Sequence, residues 1–356
     1  MAGKKPDIRN ITFDQLLEWT LDSNFPKFRA KQVYDWLWKK SVTSYDQMPN
    51  VPKAIKEKLQ ADFDFSFLTV ADEQVSEDGT VKAAFNTPVK QTVEGVLIPT
   101  TSRMTACISS QAGCSLACKF CATGRLKLLR NLLPGEIYDQ VVYLKNQADQ
   151  RYDINLSNIV YMGMGEPLLN YANVLKSIEH ITSPDGLGMS PKRITVSTAG
   201  IAKMIKKLGD DEVKFNLALS LHAANDAKRT EIMEINDTNN LAALQEALEY
   251  FYERTKTRVT FEYIIFKDFN DTLEDAKELA EFAKCVPCKV NIIEYNPIDD
   301  GEFEQADPQK VDAFASFLEE KCNMIVHVRR SRGKDIDAAC GQLANKNKVA
   351  ERVLKS

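Results

Sequence analysis

Three cysteines, Cys114, Cys118 and Cys121, fall within GCSLACKFCATG at residues 113–124. The chain has 8 cysteines in 356 residues, too unevenly spread for an extracellular disulfide framework. In a reducing compartment such a cluster points to metal binding or catalysis. A structural zinc site takes four ligands. His222 could complete one, but Cys-Ser-Leu-Ala-Cys is not a usual zinc-finger spacing. Electron-carrying iron–sulfur clusters take four cysteines. Three thiolates on a cubane cluster leave one iron without a protein ligand, and an open metal position is where a substrate or cofactor binds. The spacing therefore favours a cluster with an open iron, with a zinc protein and a plain electron carrier as the alternatives.

These thiols need a scaffold. From about residue 104 strand-like runs (TACISS, NIVYMG, RITVST, FNLALSL, RVTFEYIIF, KVNIIEY, MIVHVR) alternate with helix-like runs. Such alternation predicts a parallel sheet covered by helices, here an α/β fold of the partial (β/α)6 barrel type. Chemistry in such folds sits at the C-terminal ends of the strands. The three cysteines follow the first of these strands. GMGEP, with Gly163, Gly165, Glu166 and Pro167, follows the second. The third ends in Ser197-Thr198, the fourth in Ser220-Leu221-His222 and the sixth in Asn296-Pro297. Polar groups thus gather at one rim of otherwise apolar strands.

Before the barrel, residues 1–63 read as a small helical domain. Thr12 or Asp14 can cap the first helix, Phe28 opens the second and Pro52 suits the first turn of the third. Phe13, Tyr34, Trp36 and Trp38 are its expected core. Residues 64–99 read as a β extension with a turn at Glu77-Asp78-Gly79. The barrel core is expected over 100–346 and a tail over 347–356. Apolar content of 44% and charged content of 27% are those of an ordinary globular protein, and no leader or membrane span is expected. Net charge is −4, yet residues 1–60 hold 11 Lys and Arg against 7 Asp and Glu. Lys119, Arg125, Lys127 and Arg130 form a second basic stretch, and Arg329, Arg330, Arg332 and Lys334 a third. Local basic patches on an acidic protein suit phosphate binding, although solvated surface is the simpler reading of any one of them.

The C-x3-C-x2-C loop, with Phe120 before its last cysteine, resembles that of the radical S-adenosylmethionine enzymes. More narrowly, VEGVLIP, CISSQAGCSLACKFCATG, RNLLPGEI, GMGEPLLN, ITVSTAG, LALSLHA, PCKVNIIEYNP and RGKDIDAACGQL, in that order, resemble the bacterial dual-specificity ribosomal and transfer RNA adenine-C2 methyltransferases. The resemblance implies a [4Fe-4S] cluster on Cys114, Cys118 and Cys121. It implies S-adenosylmethionine held by Gly165, Glu166, Ser197, Ser220, Leu221, His222 and Asn296. One S-adenosylmethionine would methylate Cys340. A second, cleaved on the cluster, would give the adenosyl radical that activates the S-methyl group for addition to C2. Glu94 would take the C2 proton, and Cys107 would release the product by forming a transient disulfide with Cys340. The expected targets are an adenosine of 23S rRNA in the peptidyl transferase centre and the adenosine 3′ of the anticodon in some tRNAs.

A radical route suits C2, which lies between two electron-withdrawing ring nitrogens and is no nucleophile. The target base must also leave its stack. The resemblance further implies a cytoplasmic, monomeric enzyme served by a low-potential donor such as flavodoxin. A related class that methylates C8 of the same ribosomal adenosine and confers antibiotic resistance shares the cysteines; Pro167 favours the C2 class. Read alone, Cys340 would be a small buried apolar group and Glu94 a surface acid. Cys285, Cys288 and Cys322 read as structural, and His180 and His327 carry no motif.

Overall fold

A computed structural model describes residues 5–346; the expected tail, 347–356, lies outside the described residues. The N-terminal helices are α1 (Phe13–Asp22), α2 (Phe28–Tyr34) and α3 (Lys53–Asp62). A reciprocal cap starts α1: the Gln15 amide donates to Thr12 Oγ1 (3.2 Å) and the Thr12 amide to Gln15 Oε1 (2.8 Å). Beyond α2 the chain widens into a π turn, Asp35–Lys39. This turn sends Trp38 out of the bundle. Its indole stacks on His180 at 3.6 Å between centroids and meets Tyr138 edge-on at 5.2 Å, both on barrel helices. The Arg9 guanidinium lies 4.9 Å above the same indole and pairs with Asp139 at 2.7 Å. Trp38 is thus a joint between bundle and barrel rather than bundle interior, and His180 acquires a packing role that sequence did not suggest.

The extension is an antiparallel meander of β1 (Thr69–Val75), β2 (Val81–Asn86) and β3 (Thr92–Pro99). β3 pairs antiparallel with β4 (Met104–Cys107), so the extension continues the barrel sheet. A small ladder of β5 (Gln111–Ala112) and β6 (Arg130–Asn131) closes the loop carrying the three cysteines. Next to β4 lie β7 (Asn158–Tyr161), β8 (Ile194–Thr198), β9 (Asn216–Ser220), β10 (Val259–Ile265), β11 (Cys288–Glu294) and β12 (Val326–Arg329), all parallel. The sheet runs from β1 at one edge to β12 at the other, so the barrel is partial, as the alternation predicts.

The covering helices are α4 (Pro134–Arg151), α5 (Tyr171–Thr182), α6 (Ala202–Asp210), α7 (Asp226–Ile232), α8 (Leu241–Thr255), α9 (Leu273–Phe282) and α10 (Pro308–Ser316). Short α7 was not expected from sequence. It starts where Asn225 Oδ1 accepts the amides of Ala227 (3.1 Å) and Lys228 (3.3 Å). Strands such as VTFEYII of β10 are buried along their whole length, which explains their near-continuous apolar character. Among the described residues no helix is long and apolar enough to cross a membrane.

Candidate active site

A cavity of about 380 Å³ opens where the parallel strands end, within the usual range for small-molecule sites. The cysteine loop forms one flank. The Lys119 amide donates to Ile232 O (3.1 Å), fastening the loop to the end of α7. Cys118 and Cys121 pack with Phe120, Ile232, Met233 and Ile264. Burial pushes the Cys114 thiol up to about 11 and raises those of Cys118 and Cys121. A thiolate trio here therefore calls for a cationic partner, and metal binding would release protons. Among the described residues no three His, Cys, Asp or Glu side chains converge on a single ion. Three thiolates on one loop suit a cubane, which takes one thiolate per iron, and fall short of the four ligands of a structural zinc.

The GMGEP turn lies against the strand–loop segment 108–111. A Cβ on Gly163 would come within 2.7 Å of Ser109 Oγ, and one on Gly165 (φ +94) within 2.4 Å of Gln111 Cβ. Only glycine allows this approach. Glu166 is buried and braced: Oε1 accepts the Leu168 amide (3.0 Å) and Oε2 the Ala199 amide (2.8 Å). Burial raises its pKa, against the pull of those two amides. Its carboxylate thus ties the rim after β7 to the rim after β8. Ser197 and Ser220 line the cavity from adjacent strands with hydroxyls 3.3 Å apart.

His222 has a left-handed backbone (φ 56). Its Nδ1 accepts the Ile264 amide (3.1 Å), which assigns the ring proton to Nε2. Burial drives its pKa down to about 3, so the imidazole is neutral. Leu221 is fully buried and contributes backbone only. Asn296 lies behind the wall, its Nδ2 donating to Cys340 O (3.2 Å) while its buried Oδ1 lacks a partner. That orphaned acceptor fits a site completed by a polar cofactor.

A second flank is formed by Cys107, at the end of β4, and Cys340. The C-terminal segment is stitched to the cysteine loop: the Ala122 amide donates to Gly341 O (2.7 Å) and Thr123 Oγ1 to Leu343 O (2.6 Å). Cys340 lies in a turn, exposed to the cavity, and both thiols are free. Burial pushes the Cys107 thiol up to about 12, with nearby Cys340 adding to the rise. Among the cavity walls enclosure also raises Cys340, and Arg329 opposes this. Arg329 pairs with buried Glu262 at 3.3 Å. Glu94 is not on the cavity wall. It is fully buried, with Oε2 accepting the amides of Ala344 and Asn345 (both 3.0 Å). Lys82 Nζ lies 4.0 Å from Oε1, which accepts no hydrogen bond.

Comparison with known proteins assigns this arrangement. A radical SAM superfamily model matches residues 108–283, and one of the ribosomal RNA large subunit methyltransferase N-terminal domain matches residues 6–64. The probable dual-specificity RNA methyltransferase RlmN of Christiangramia forsetii is 56% identical over 98% of this chain and 98% of its own. The chain belongs to the RlmN family of radical SAM RNA methyltransferases. The probable RlmN of Cytophaga hutchinsonii is 57% identical over 96% of this chain and 94% of its own. A radical SAM methyltransferase from Sphaerobacter thermophilus, solved by crystallography, superimposes with a TM-score of 0.89 at 35% identity, covering 95% of this chain and 99% of that one. Membership of the superfamily brings a [4Fe-4S] cluster and S-adenosylmethionine.

Within this RlmN-family site, the structure gathers Cys107, Cys114, Cys118, Cys121, Gly165, Glu166, Ser197, Ser220, His222 and Cys340 on one cavity. Glu94, Leu221 and Asn296 stand behind it. The expected basic patches are largely paired internally: Arg330 and Lys334 reach Glu294, Arg130 reaches Glu136, and Arg125 reaches Asp300 O. Arg103 lines the cavity and belongs to none of the basic stretches singled out from sequence. Glu262 was also missed; an acid inside the apolar run VTFEYIIF was the available signal. Cys285, Cys288 and Cys322 are half-buried, none of them on the cavity.

Proposed function

We propose that this enzyme methylates C2 of an adenosine in 23S rRNA at the peptidyl transferase centre, and of the adenosine 3′ of the anticodon in a subset of tRNAs, through S-methylated Cys340. What carries this reading is that Cys107 and Cys340, 233 positions apart in the chain, line the same cavity as the cluster cysteines and are both free. Cys114, Cys118 and Cys121 would hold the cluster, which would supply the electron for S-adenosylmethionine cleavage. Gly165, Glu166, Ser197, Ser220, Leu221, His222 and Asn296 position that cofactor, the last through the wall it shares with Cys340. The Cys340 thiolate attacks the methyl of one S-adenosylmethionine, forming a sulfur–carbon bond and releasing S-adenosylhomocysteine. A second S-adenosylmethionine would be cleaved with one electron to methionine and a 5′-deoxyadenosyl radical, which takes a hydrogen atom from the S-methyl group; that carbon then bonds to C2 and the adduct gives one electron back. Glu94 then takes the C2 proton. This role requires the Ala344 and Asn345 amides to release its carboxylate. Finally Cys107 attacks the Cys340 sulfur, forming a disulfide as the sulfur–carbon bond breaks; the released carbon takes a proton to become the methyl group, and an external thiol reductant restores both cysteines.

The helical domain at 1–63 grips RNA away from the cavity, the extension at 64–99 carries Glu94, and the core at 100–346 carries the chemistry. A monomer in the cytoplasm, reduced by a flavodoxin-type donor, fits these requirements. Nucleosides from ribosomal and transfer RNA, digested after incubation with the reconstituted enzyme, test the reading by mass spectrometry. 2-Methyladenosine is expected. 8-Methyladenosine alone would move the enzyme to the C8 class, and intact cluster with no methyl on Cys340 would remove the two-cysteine route.

A further inference from the structure

Arg229, on α7, is fully buried. Its Nε donates to Leu221 O (3.1 Å), its Nη1 to Asn236 Oδ1 (2.7 Å), and its Nη2 to Ala199 O (2.6 Å) and Ser220 O (3.4 Å). Three of these acceptors are carbonyls of the rims after β8 and β9, which also carry Ser197, Ser220 and His222. None of the four is a carboxylate, so among the described residues this cation is hydrogen-bonded but not ion-paired. A buried charge in that state is costly unless something else neutralises it.

What lies nearby is the cysteine loop. α7 ends at Ile232, whose carbonyl accepts the Lys119 amide, and Ile232 and Met233 pack in the same apolar cluster as Cys118 and Cys121. The carboxylate on this side, Asp226, meets the guanidinium only through Asn236, whose Oδ1 accepts Arg229 Nη1 (2.7 Å) and whose Nδ2 donates to Asp226 Oδ1 (2.9 Å). A cubane on three thiolates is anionic and becomes more so when it gains an electron. The burial of Arg229 keeps bulk solvent from screening its charge.

We propose that Arg229 is a positioning residue that joins the cluster to the cofactor rim: its charge is the countercharge of the three-thiolate cluster and favours the reduced state, while its planar fork fixes the carbonyls after β8 and β9. This rests on the cluster being held by Cys114, Cys118 and Cys121. Reduction adds one electron from an external reductant and changes no bond at Arg229.

The test uses full-length protein reconstituted with iron and sulfide, titrated with dithionite and mediators and followed by electron paramagnetic resonance. Arg229→Gln should keep wild-type iron content while its midpoint moves to more negative potential. At the wild-type midpoint the reduced-to-oxidised ratio should fall about tenfold, ~59 mV for a one-electron couple. Arg229→Lys should keep the midpoint but bind S-adenosylmethionine more weakly in equilibrium dialysis, because an ammonium cannot span the four acceptors. Asn236→Asp sets a carboxylate against the guanidinium, while giving up the Nδ2 bonds to Asp226 Oδ1 (2.9 Å) and Thr230 Oγ1 (3.0 Å), and should shift the midpoint in the same direction as Arg229→Gln. It decides the matter if Arg229→Gln does not fold. An unchanged midpoint in an iron-loaded, folded Arg229→Gln or Asn236→Asp protein overturns the proposal, as does an Arg229→Lys midpoint displaced as far as that of Arg229→Gln. Wild-type protein that takes up no iron would overturn the cluster assignment instead.

Discussion

On one flank of the cavity Cys118 and Cys121 sit among Phe120, Ile232, Met233 and Ile264, with one buried cation, Arg229, behind them. On the other, Cys107 and Cys340 face the Arg329–Glu262 pair, and the Lys82–Glu94 pair lies one layer deeper. The cluster cysteines lie mainly among apolar side chains, with Glu166 and Arg229 the charges near them, whereas Cys107 and Cys340 face a charged pair directly. Apolar walls suit a redox group, which needs a fixed field and little water. Thiols that must gain and lose protons need charges placed to tune them. The difference accords with the division of labour proposed above, electrons on the first flank and protons and carbon on the second.

The comparison breaks first, and most completely, at the cluster flank. Cys118→Ala should lose iron and reduce RNA methylation to background, while the fold persists by circular dichroism. Iron at wild-type stoichiometry with full activity would remove Cys118 from the ligand set. On the second flank, Cys107→Ala should load its cluster normally and still attach RNA to Cys340. It should then stall, with protein–RNA adduct visible on a denaturing gel and multiple turnover abolished. Normal turnover without adduct would deny Cys107 its resolving role. Glu94→Gln should be milder, a ~10²–10⁴-fold loss of rate typical of removing a general base, with iron content and the methyl on Cys340 intact by peptide mass. A loss of Cys340 methylation would instead place Glu94 in the first half-reaction.

The two flanks also differ in how far they could be read from sequence. The cysteine loop is local: three ligands in eight residues, after a strand made recognisable by its apolar run. The rim at Gly163, Ser197 and Ser220 is legible for the same reason, since Gly163 follows a strand and the two serines lie at strand ends. What escaped notice depends on partners distant in the chain. Glu94 is captured by backbone amides of Ala344 and Asn345, 250 and 251 positions away. Arg330 and Lys334 looked like a free basic patch, yet both are drawn onto Glu294. α7 spans only 7 residues, too few for a periodic pattern to register, and so the burial of Arg229 was invisible. Trp38 is buried as expected, but against the barrel rather than inside the helical bundle, because the π turn that swings it onto His180 has no sequence signature.

The smallest expected effect sharpens the comparison within the second flank, where two groups could each impose a pH limit. Burial raises the Glu94 carboxyl above its usual range, and Lys82 with the two amides pulls it down. A base must be ionised to act, so the rate should climb as pH rises through that elevated pKa. Lys82→Met removes one of the opposing forces and lifts the pKa further. The acid limb of the rate–pH profile should therefore move to higher pH, while the rate on the alkaline side recovers towards wild type. Cys340 must also ionise to be methylated, and its limb runs in the same direction. The charge that favours its thiolate, however, is on Arg329, not Lys82. Single-turnover transfer from enzyme already methylated on Cys340 isolates the Glu94 limb, and there the Lys82→Met displacement should persist. A profile unchanged under those conditions would mean that Lys82 does not tune the base, or that the base is not Glu94. Adduct formation with Glu94→Gln at the same pH values separates the two: a limb that survives in that variant belongs to another group.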